Sequence, residues 1–290
     1  MDKAKLMNGV KKYTMIIVLV LVTLFFTWQT GGKILLPQNV SNLISQNAYV
    51  FVLATGMLLC ILTGGNIDLS VGSVVCFAGA VGATLMESKG MNPWAASIMM
   101  LLIGLLIGAW QAFWIAYVHV PPFITTLSGM LVFRGLSNVV LNGLTVSLTN
   151  AGFVKVFGGG AECYIPDFLG GNGFNITCML VGVIACVIYV LVQIKNRMNR
   201  AKKGYEMEAL SAMVIRTVII CAVILVFMFR LAQYKGIPTA LVWVALVVLI
   251  YGYITSKTTT GRYFYAVGGN EKATKLSGIN TVSYTHLRAH

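Results

Sequence analysis

The chain has 290 residues, of which 58% are hydrophobic and only 10% charged, with a mean hydropathy of +0.83. Soluble domains carry about a quarter charged residues, so an ordinary water-soluble fold is excluded. The net charge of +13 would suggest a nucleic-acid surface in a soluble chain; in one this apolar it asks where the basic residues sit relative to a bilayer.

Eight apolar stretches, 14–28, 48–63, 69–86, 94–118, 123–141, 176–193, 214–229 and 238–255, come close to the roughly 20 residues a helix needs to cross about 30 Å of hydrocarbon. Lys3, Lys5, Lys11 and Lys12 precede the first of them, and no small-residue cleavage site follows, so it reads as an uncleaved span rather than a signal peptide. The fold class is an all-α, polytopic membrane bundle of about eight spans.

Between the second and third stretches lies TGGNIDLSVGS, residues 63–73. Its glycines permit unusual backbone angles, and Asp68 suits the N-cap of the helix that follows. Asn66, Asp68, Ser70 and Ser73 beside hydrocarbon are tolerable only when buried in protein or lining a watered cavity, which makes them a candidate substrate path or gate. A polar turn that caps two helices is the plainer alternative.

The third stretch carries a stripe of small residues at Gly72, Cys76, Gly79 and Ala83, and the fourth a GxxxG pair at Gly104 and Gly108, both suited to close helix packing. His119, beside Pro121 and Pro122, reads as a turn or interface residue. On the fifth, Arg134, Asn138 and Asn142 recur every four residues and share one helical face. A charge inside a span should face the bundle interior or a polar path, so Arg134 and Asn138 join the candidate path; Asp68 is the counter-charge by sign, and a structural ion pair is the other option. Residues 142–175, rich in glycine, read as irregular connection. The six cysteines form no CxxC or Cys/His spacing, so no metal site is expected.

Past the eighth stretch, residues 267–279 read VGGNEKATKLSGI. Asn270 suits an N-cap, Glu271 the first helical turn and Gly278 the stop, which predicts about two turns of helix. A helix that short is marginal in water. Ala273, Leu276 and Ile279 would share a face that docks either on a separate partner or on the chain's own membrane domain.

Thirteen Lys and Arg fall in segments 3–12, 195–203 and 257–275, against Lys33, Lys89, Lys155 and Lys235 in the alternate connections. By the positive-inside rule this places both ends of the chain in the cytoplasm. No GxxxxGKS/T phosphate loop and no His/Cys/Asp/Glu constellation with catalytic spacing occurs in the sequence, so the chain is not expected to be an enzyme.

Four segments in this order, LPQNVSNLISQNAYVFVLATGM (36–57), TGGNIDLSVGS (63–73), PPFITTLSGMLVFRG (121–135) and TTTGRYFYAVGGNEKATKLSGIN (258–280), resemble the permease subunits of bacterial ATP-binding-cassette importers for monosaccharides. The likeness is to the ribose, galactose and xylose branch, and especially to its multiple-sugar type. The resemblance implies an inner-membrane permease that works as a dimer with a second copy. It would receive sugar from a periplasmic or lipid-anchored binding protein and pass it inward by alternating access. A separate ATPase subunit would bind ATP and Mg, and no cofactor would bind this chain; no nucleic acid is expected. It also implies that Gly269, Asn270, Glu271, Ala273, Leu276 and Gly278 form the loop on which that ATPase docks. Family members continue with further spans after this loop, whereas the chain stops at His290 and VSYTHLRAH resembles nothing in them. The expectation is a partial permease domain over 1–281 and a non-native tail over 282–290. The rival reading is an ion-coupled secondary transporter of a small polar solute, which would be expected to carry more intramembrane carboxylates or histidines.

Overall fold

A computed structural model describes residues 3–63, 66–158, 162–171, 173–204 and 209–279. The described residues form α1 (Lys3–Gln29), α2 (Pro37–Leu62), α3 (Val71–Glu87), α4 (Pro93–Ala116), α5 (Pro122–Leu141) and α6 (Ala151–Phe157). After these come α7 (Ile176–Lys202), α8 (Leu210–Ala232), α9 (Thr239–Lys257), α10 (Thr259–Gly269) and α11 (Glu271–Leu276). Apart from one isolated bridge between Tyr164 and Pro238, no β structure occurs among the described residues. The chain is a polytopic helical bundle. The tail at 282–290, Gly64 and Gly65 lie outside the described residues.

All eight predicted stretches are helical, and six of the helices (α2, α4, α5, α7, α8 and α9) are long and apolar enough to cross a membrane. The remaining two, Thr14–Gln29 within α1 and Val71–Glu87, are shorter apolar helices. Several boundaries differ from the expectation. The second stretch begins at Pro37 rather than at 48, because Pro at the first helical position starts a helix whose opening turns are too polar (Gln38, Asn39, Ser41, Asn42) to register as apolar. Residues 142–175 are not wholly irregular either, since α6 lies within them.

Burial runs opposite to that of a soluble protein. Leu101, Leu106, Val139 and Leu249 expose between 65% and 75% of their surface, while Ala96, Ala112 and Ala116 are buried. Lipid is as apolar as leucine, so helices associate through close packing of small residues and leave large ones to the acyl chains.

Two compact units divide the chain, one of Met1–Gln46 and Tyr164–Pro238, the other of Asn47–Cys163 and Thr239–His290. In the first, α7 and α8 form an antiparallel hairpin. Cys178, Gly182 and Cys186, four residues apart on α7, are buried; the two thiols lie against the backbone oxygens of Met228 and Cys221 on α8, and Gly182 faces the Met228 side chain.

In the second unit α3 packs between α4 and α5. The small residues that pack on α3 are Ala78, Ala80 and Gly82, the last against Met100. The expected stripe is therefore corrected: Gly72 and Cys76 are exposed, because a run rich in Gly, Ala and Cys offers small residues on every face and spacing alone cannot choose among them. Of the GxxxG pair, Gly108 is buried, whereas Gly104 has open space around it.

This unit has two distinct ends. At one, the Glu87 carboxylate accepts hydrogen bonds from the Thr149 backbone N–H and hydroxyl at 2.7 and 2.8 Å. Nearby the Phe157 ring stacks on Trp243 at 5.0 Å and meets Trp94 edge-on at 5.7 Å, while Trp243 Nε1 donates to the Val156 oxygen. Such amphipathic rings belong at a membrane interface. At the other end the C-termini of α2 and α4, the N-termini of α3 and α5, and α10 come together around the segment at 66–70.

Candidate functional site

Asn66, Ile67 and Asp68 follow the C-terminus of α2 and form one wall of a small open cleft, with about 20 Å³ of space inside it. Cys60 of α2, Ile115 at the end of α4, and Pro122 and Thr126 at the start of α5 complete it. The turn that joins α4 to α5 is sharp, and His119 takes a positive φ of 61° within it, which places the histidine in a turn as the sequence suggested. The Thr126 hydroxyl donates to the Pro122 oxygen at 2.9 Å.

Asp68 does not cap α3. The N-cap residue is Ser70, in the right-handed helical region and without a side-chain cap bond. Asp68 Oδ1 instead accepts the Ser70 N–H at 2.8 Å and stands 2.7 Å from the Ser70 hydroxyl, a side-chain turn that fixes the chain two residues ahead of it. Ser70 itself is 1% exposed, and its hydroxyl also lies 3.0 Å from Gln111 Oε1. A polar relay therefore runs from the wall of the cleft to the buried face of α4.

The candidate path residues do not all assemble. Asn66 and Asp68 line the cleft, Ser70 lies directly behind it, and Ser73 is half-buried on the first turn of α3. Arg134 and Asn138 are exposed on α5, two turns and more beyond Thr126. The buried face of α5 holds Thr126, Gly129, Phe133 and Ser137, and Arg134 makes no ion pair with Asp68. Charge sign proposed that pairing, and helix rotation decides against it: residues 134 and 138 point away from the stripe at 126, 129, 133 and 137.

Gln111 is the residue that the motif reading missed. It is 2% exposed, and its signal was present: it is the one amide side chain in the apolar run 94–118, and an intramembrane polar group calls for a partner or a role.

The other feature of this end is the pair α10 and α11. The Thr258 hydroxyl caps α10 by accepting from Gly261 N at 3.1 Å, and Gly261, Phe264 and Val267 bury one face. A Cβ on Gly268 would overlap the Leu62 carbonyl oxygen, so α10 rests directly on the C-terminal turn of α2. Asn270 then caps α11, its Oδ1 accepting from Ala273 N at 3.0 Å, and Gly278 closes it at φ 82°. Within α11 only Thr274 is buried, its hydroxyl within 2.9 Å of the Ala266 oxygen and 2.8 Å of the Asn270 oxygen. Ala273 is exposed, and Leu276 is 89% exposed.

No group of three metal-ligating side chains occurs among the described residues. The surface of the cleft is mostly apolar; its polar groups are one amide (Asn66), one carboxylate (Asp68) and one hydroxyl (Thr126), which can exchange hydrogen bonds with a polar, uncharged solute.

Residues 39–287 match the family model described as the permease component of branched-chain amino acid transport systems. The chain is 37% identical over 268 residues to the xylose transport system permease protein XylH of Escherichia coli (strain K12), a match that covers 92% of this chain and 65% of XylH. To the ribose import permease protein RbsC of the same strain it is 30% identical over 242 residues, 83% of this chain and 53% of RbsC. To the fructose import permease protein FruF of Bifidobacterium longum (strain NCC 2705) it is 36% identical over 180 residues, 62% of this chain and 46% of FruF. The chain thus spans a little under two thirds of the length of XylH. No solved structure gives a significant match.

Proposed function

This chain belongs to the permease-component family of branched-chain amino acid transport systems, as a multi-pass protein of the bacterial inner membrane, and from that premise we propose that it forms the membrane path of an ATP-driven importer of a monosaccharide. The family's proteins are components of transport systems rather than catalytic subunits. ATP and Mg²⁺ bind and react in a partner ATPase, an extracytoplasmic binding protein delivers the sugar, and a second copy of the permease completes the path.

One observation carries this reading. The exposed face of α11 presents Ala273 and Leu276, and the helix behind it bears on the turn of α2 that leads into the cleft-lining segment. Thr274, rather than the apolar pair, is the side of α11 that faces its own chain. An apolar side chain 89% exposed at the end that the charge pattern places in the cytoplasm suits contact with a cytoplasmic subunit. A load applied there reaches the cleft through α10, and the response is a shift between two arrangements of the helices that wall it.

A neutral sugar suits the cleft better than an amino acid does. A zwitterion needs both a cation and an anion within reach, whereas the cleft lining holds one carboxylate and no basic side chain. The relatives named for xylose, ribose and fructose agree with this.

Uptake of radiolabelled D-xylose, D-ribose and D-fructose into proteoliposomes that hold the permease, its ATPase and its binding protein tests the proposal. Entry of one of these sugars is expected with ATP and absent without it. Entry driven by a proton or sodium gradient in the absence of ATP would overturn the reading in favour of ion-coupled transport.

A further inference from the structure

The three walls of the cleft converge on one buried side chain. On α4, Gln111 lies one turn before Ile115; on α5, Gly129 lies one turn beyond Thr126; and Ser70, two residues after Asp68, reaches the Gln111 amide. With a rise of about 1.5 Å per residue, the amide stands on the order of 5 Å past the cleft lining, toward the middle of the bundle. Gly129 leaves the space it occupies, since a Cβ there would overlap the amide nitrogen.

Gln111 Nε2 has no hydrogen-bond partner among the described residues, and the bonding around it is not completed by them. The Ser70 hydroxyl has one proton to give and two acceptors in reach, Asp68 Oδ1 at 2.7 Å and Gln111 Oε1 at 3.0 Å. The carboxyl oxygen of Asp68, the nearer acceptor, takes it. Turned over, the Gln111 amide would donate Nε2–H to the Ser70 oxygen and leave its own carbonyl bare. In either orientation at least one end of the amide is left over, in a run of helix where leucine or methionine would fill the space with no polar group to satisfy.

We propose that the Gln111 carboxamide is a hydrogen-bonding site for a hydroxyl group of the transported sugar, occupied when α4 and α5 part at Gly129 and the cleft extends inward to it. This rests on the reading of the cleft as part of the sugar path. A carboxamide offers both a donor and an acceptor, which is what a hydroxyl needs of its partner. Ser70, held by Asp68, orients the amide. Asp68 is thereby a positioning residue for the site as well as part of its wall.

The test compares wild type with Gln111→Met in proteoliposomes that contain the complete transporter. Uptake is measured for whichever of D-xylose, D-ribose and D-fructose the wild type carries, and for each monodeoxy analogue of that sugar. The binding protein is common to both preparations, so a change in the ratio of sugar to analogue belongs to the permease. Gln111→Met is expected to lower uptake of the parent sugar about tenfold, the equivalent of one lost hydrogen bond to a buried polar group, while uptake of one monodeoxy analogue changes less than about twofold. An equal fall for the sugar and every analogue, or no fall at all, overturns the inference and leaves Gln111 as a packing residue or the holder of a trapped water. If the wild type carries none of the three sugars with ATP, the transport reading fails, and the sugar site falls with it.

Discussion

Asp167, in the connection that precedes α7, ties down four backbone N–H groups. Its two carboxylate oxygens accept from the Thr177 hydroxyl at 2.7 Å and from the backbone N–H groups of Leu169, Gly171, Ile176 and Thr177 between 2.9 and 3.2 Å. Two of those N–H groups belong to the first turn of α7, where no intrahelical acceptor exists, and Asn175 satisfies the next, that of Cys178. The Thr177 hydroxyl is the largest reason the Asp167 carboxyl is held well below the usual carboxylate range; desolvation opposes it, and the backbone donors at Gly171, Leu169 and Thr177 each lower it further. A pKa lowered by folding stabilises the fold above the ordinary value near 4 and is lost only as pH falls through the depressed one. The connection should therefore hold from neutral pH down to about pH 4 and loosen only in stronger acid. Asp167→Asn should raise amide hydrogen exchange at Gly171, Ile176 and Thr177 at pH 7; exchange equal to wild type would show that the glycine-rich turn holds without the charge. None of this was legible in the sequence, where residues 142–175 carry a composition and no periodic pattern. A carboxylate that ties backbone groups two to ten residues away announces itself only once the chain has folded around it.

At the scale of elements the reading from sequence succeeded where a local rule decides and failed where rotation or register does. Asn270, Glu271 and Gly278 sit at the start and stop of α11 because caps are set by neighbours three residues apart. The helix before it, α10, passed unnoticed, since eleven residues with three buried ones resemble a loop as much as a helix until the surface they cover is known. That surface is the end of α2, and Gly268 is the point of contact. Gly268→Ala would drive a methyl group into the Leu62 backbone carbonyl, which cannot swing aside as a side chain could, and should destabilise the protein by about 1–3 kcal/mol. Gly252→Ala on α9, where the space is open, should be neutral or stabilise by up to about 1 kcal/mol. Melting midpoints of the two variants in detergent check the pair; equal midpoints would remove the claim that α10 bears rigidly on α2. For α11, Leu276→Asp should abolish co-purification of the ATPase while membrane insertion and the melting midpoint stay at wild-type values, because the side chain is 89% exposed among the described residues. Normal co-purification would move the docking surface elsewhere.

The molecule as a whole is legible from two long-range patterns, apolar length and the placement of basic residues, because both answer to the bilayer rather than to any partner within the chain. Apolar length found the spans, although it could not say which face of each span packs inward; Arg134 and Asn138 lie on the exposed face of α5 in the single chain, away from the cleft lining. The charge pattern makes a further claim, about which side of the bilayer each connection faces. The segment at 66–70, the turn at 117–121 and the pair α10 and α11 are gathered at one end of the second unit, whereas Glu87, Thr149, α6 and the Trp94, Phe157 and Trp243 rings are gathered at the other. An alternation of spans that puts 66–70 and 258–279 on one side of the bilayer puts 88–92 and 142–158 on the opposite side, and of these 258–279 is the basic one, the side the positive-inside rule assigns to the cytoplasm. Single cysteines placed in a background stripped of native ones should report it. Leu276→Cys and Lys257→Cys should react with a membrane-impermeant maleimide only in inside-out vesicles, and Lys89→Cys and Lys155→Cys only in right-side-out cells. Labelling of Leu276→Cys from outside would place α11 beyond the reach of any cytoplasmic subunit, and the ATP-driven mechanism could not then act through it.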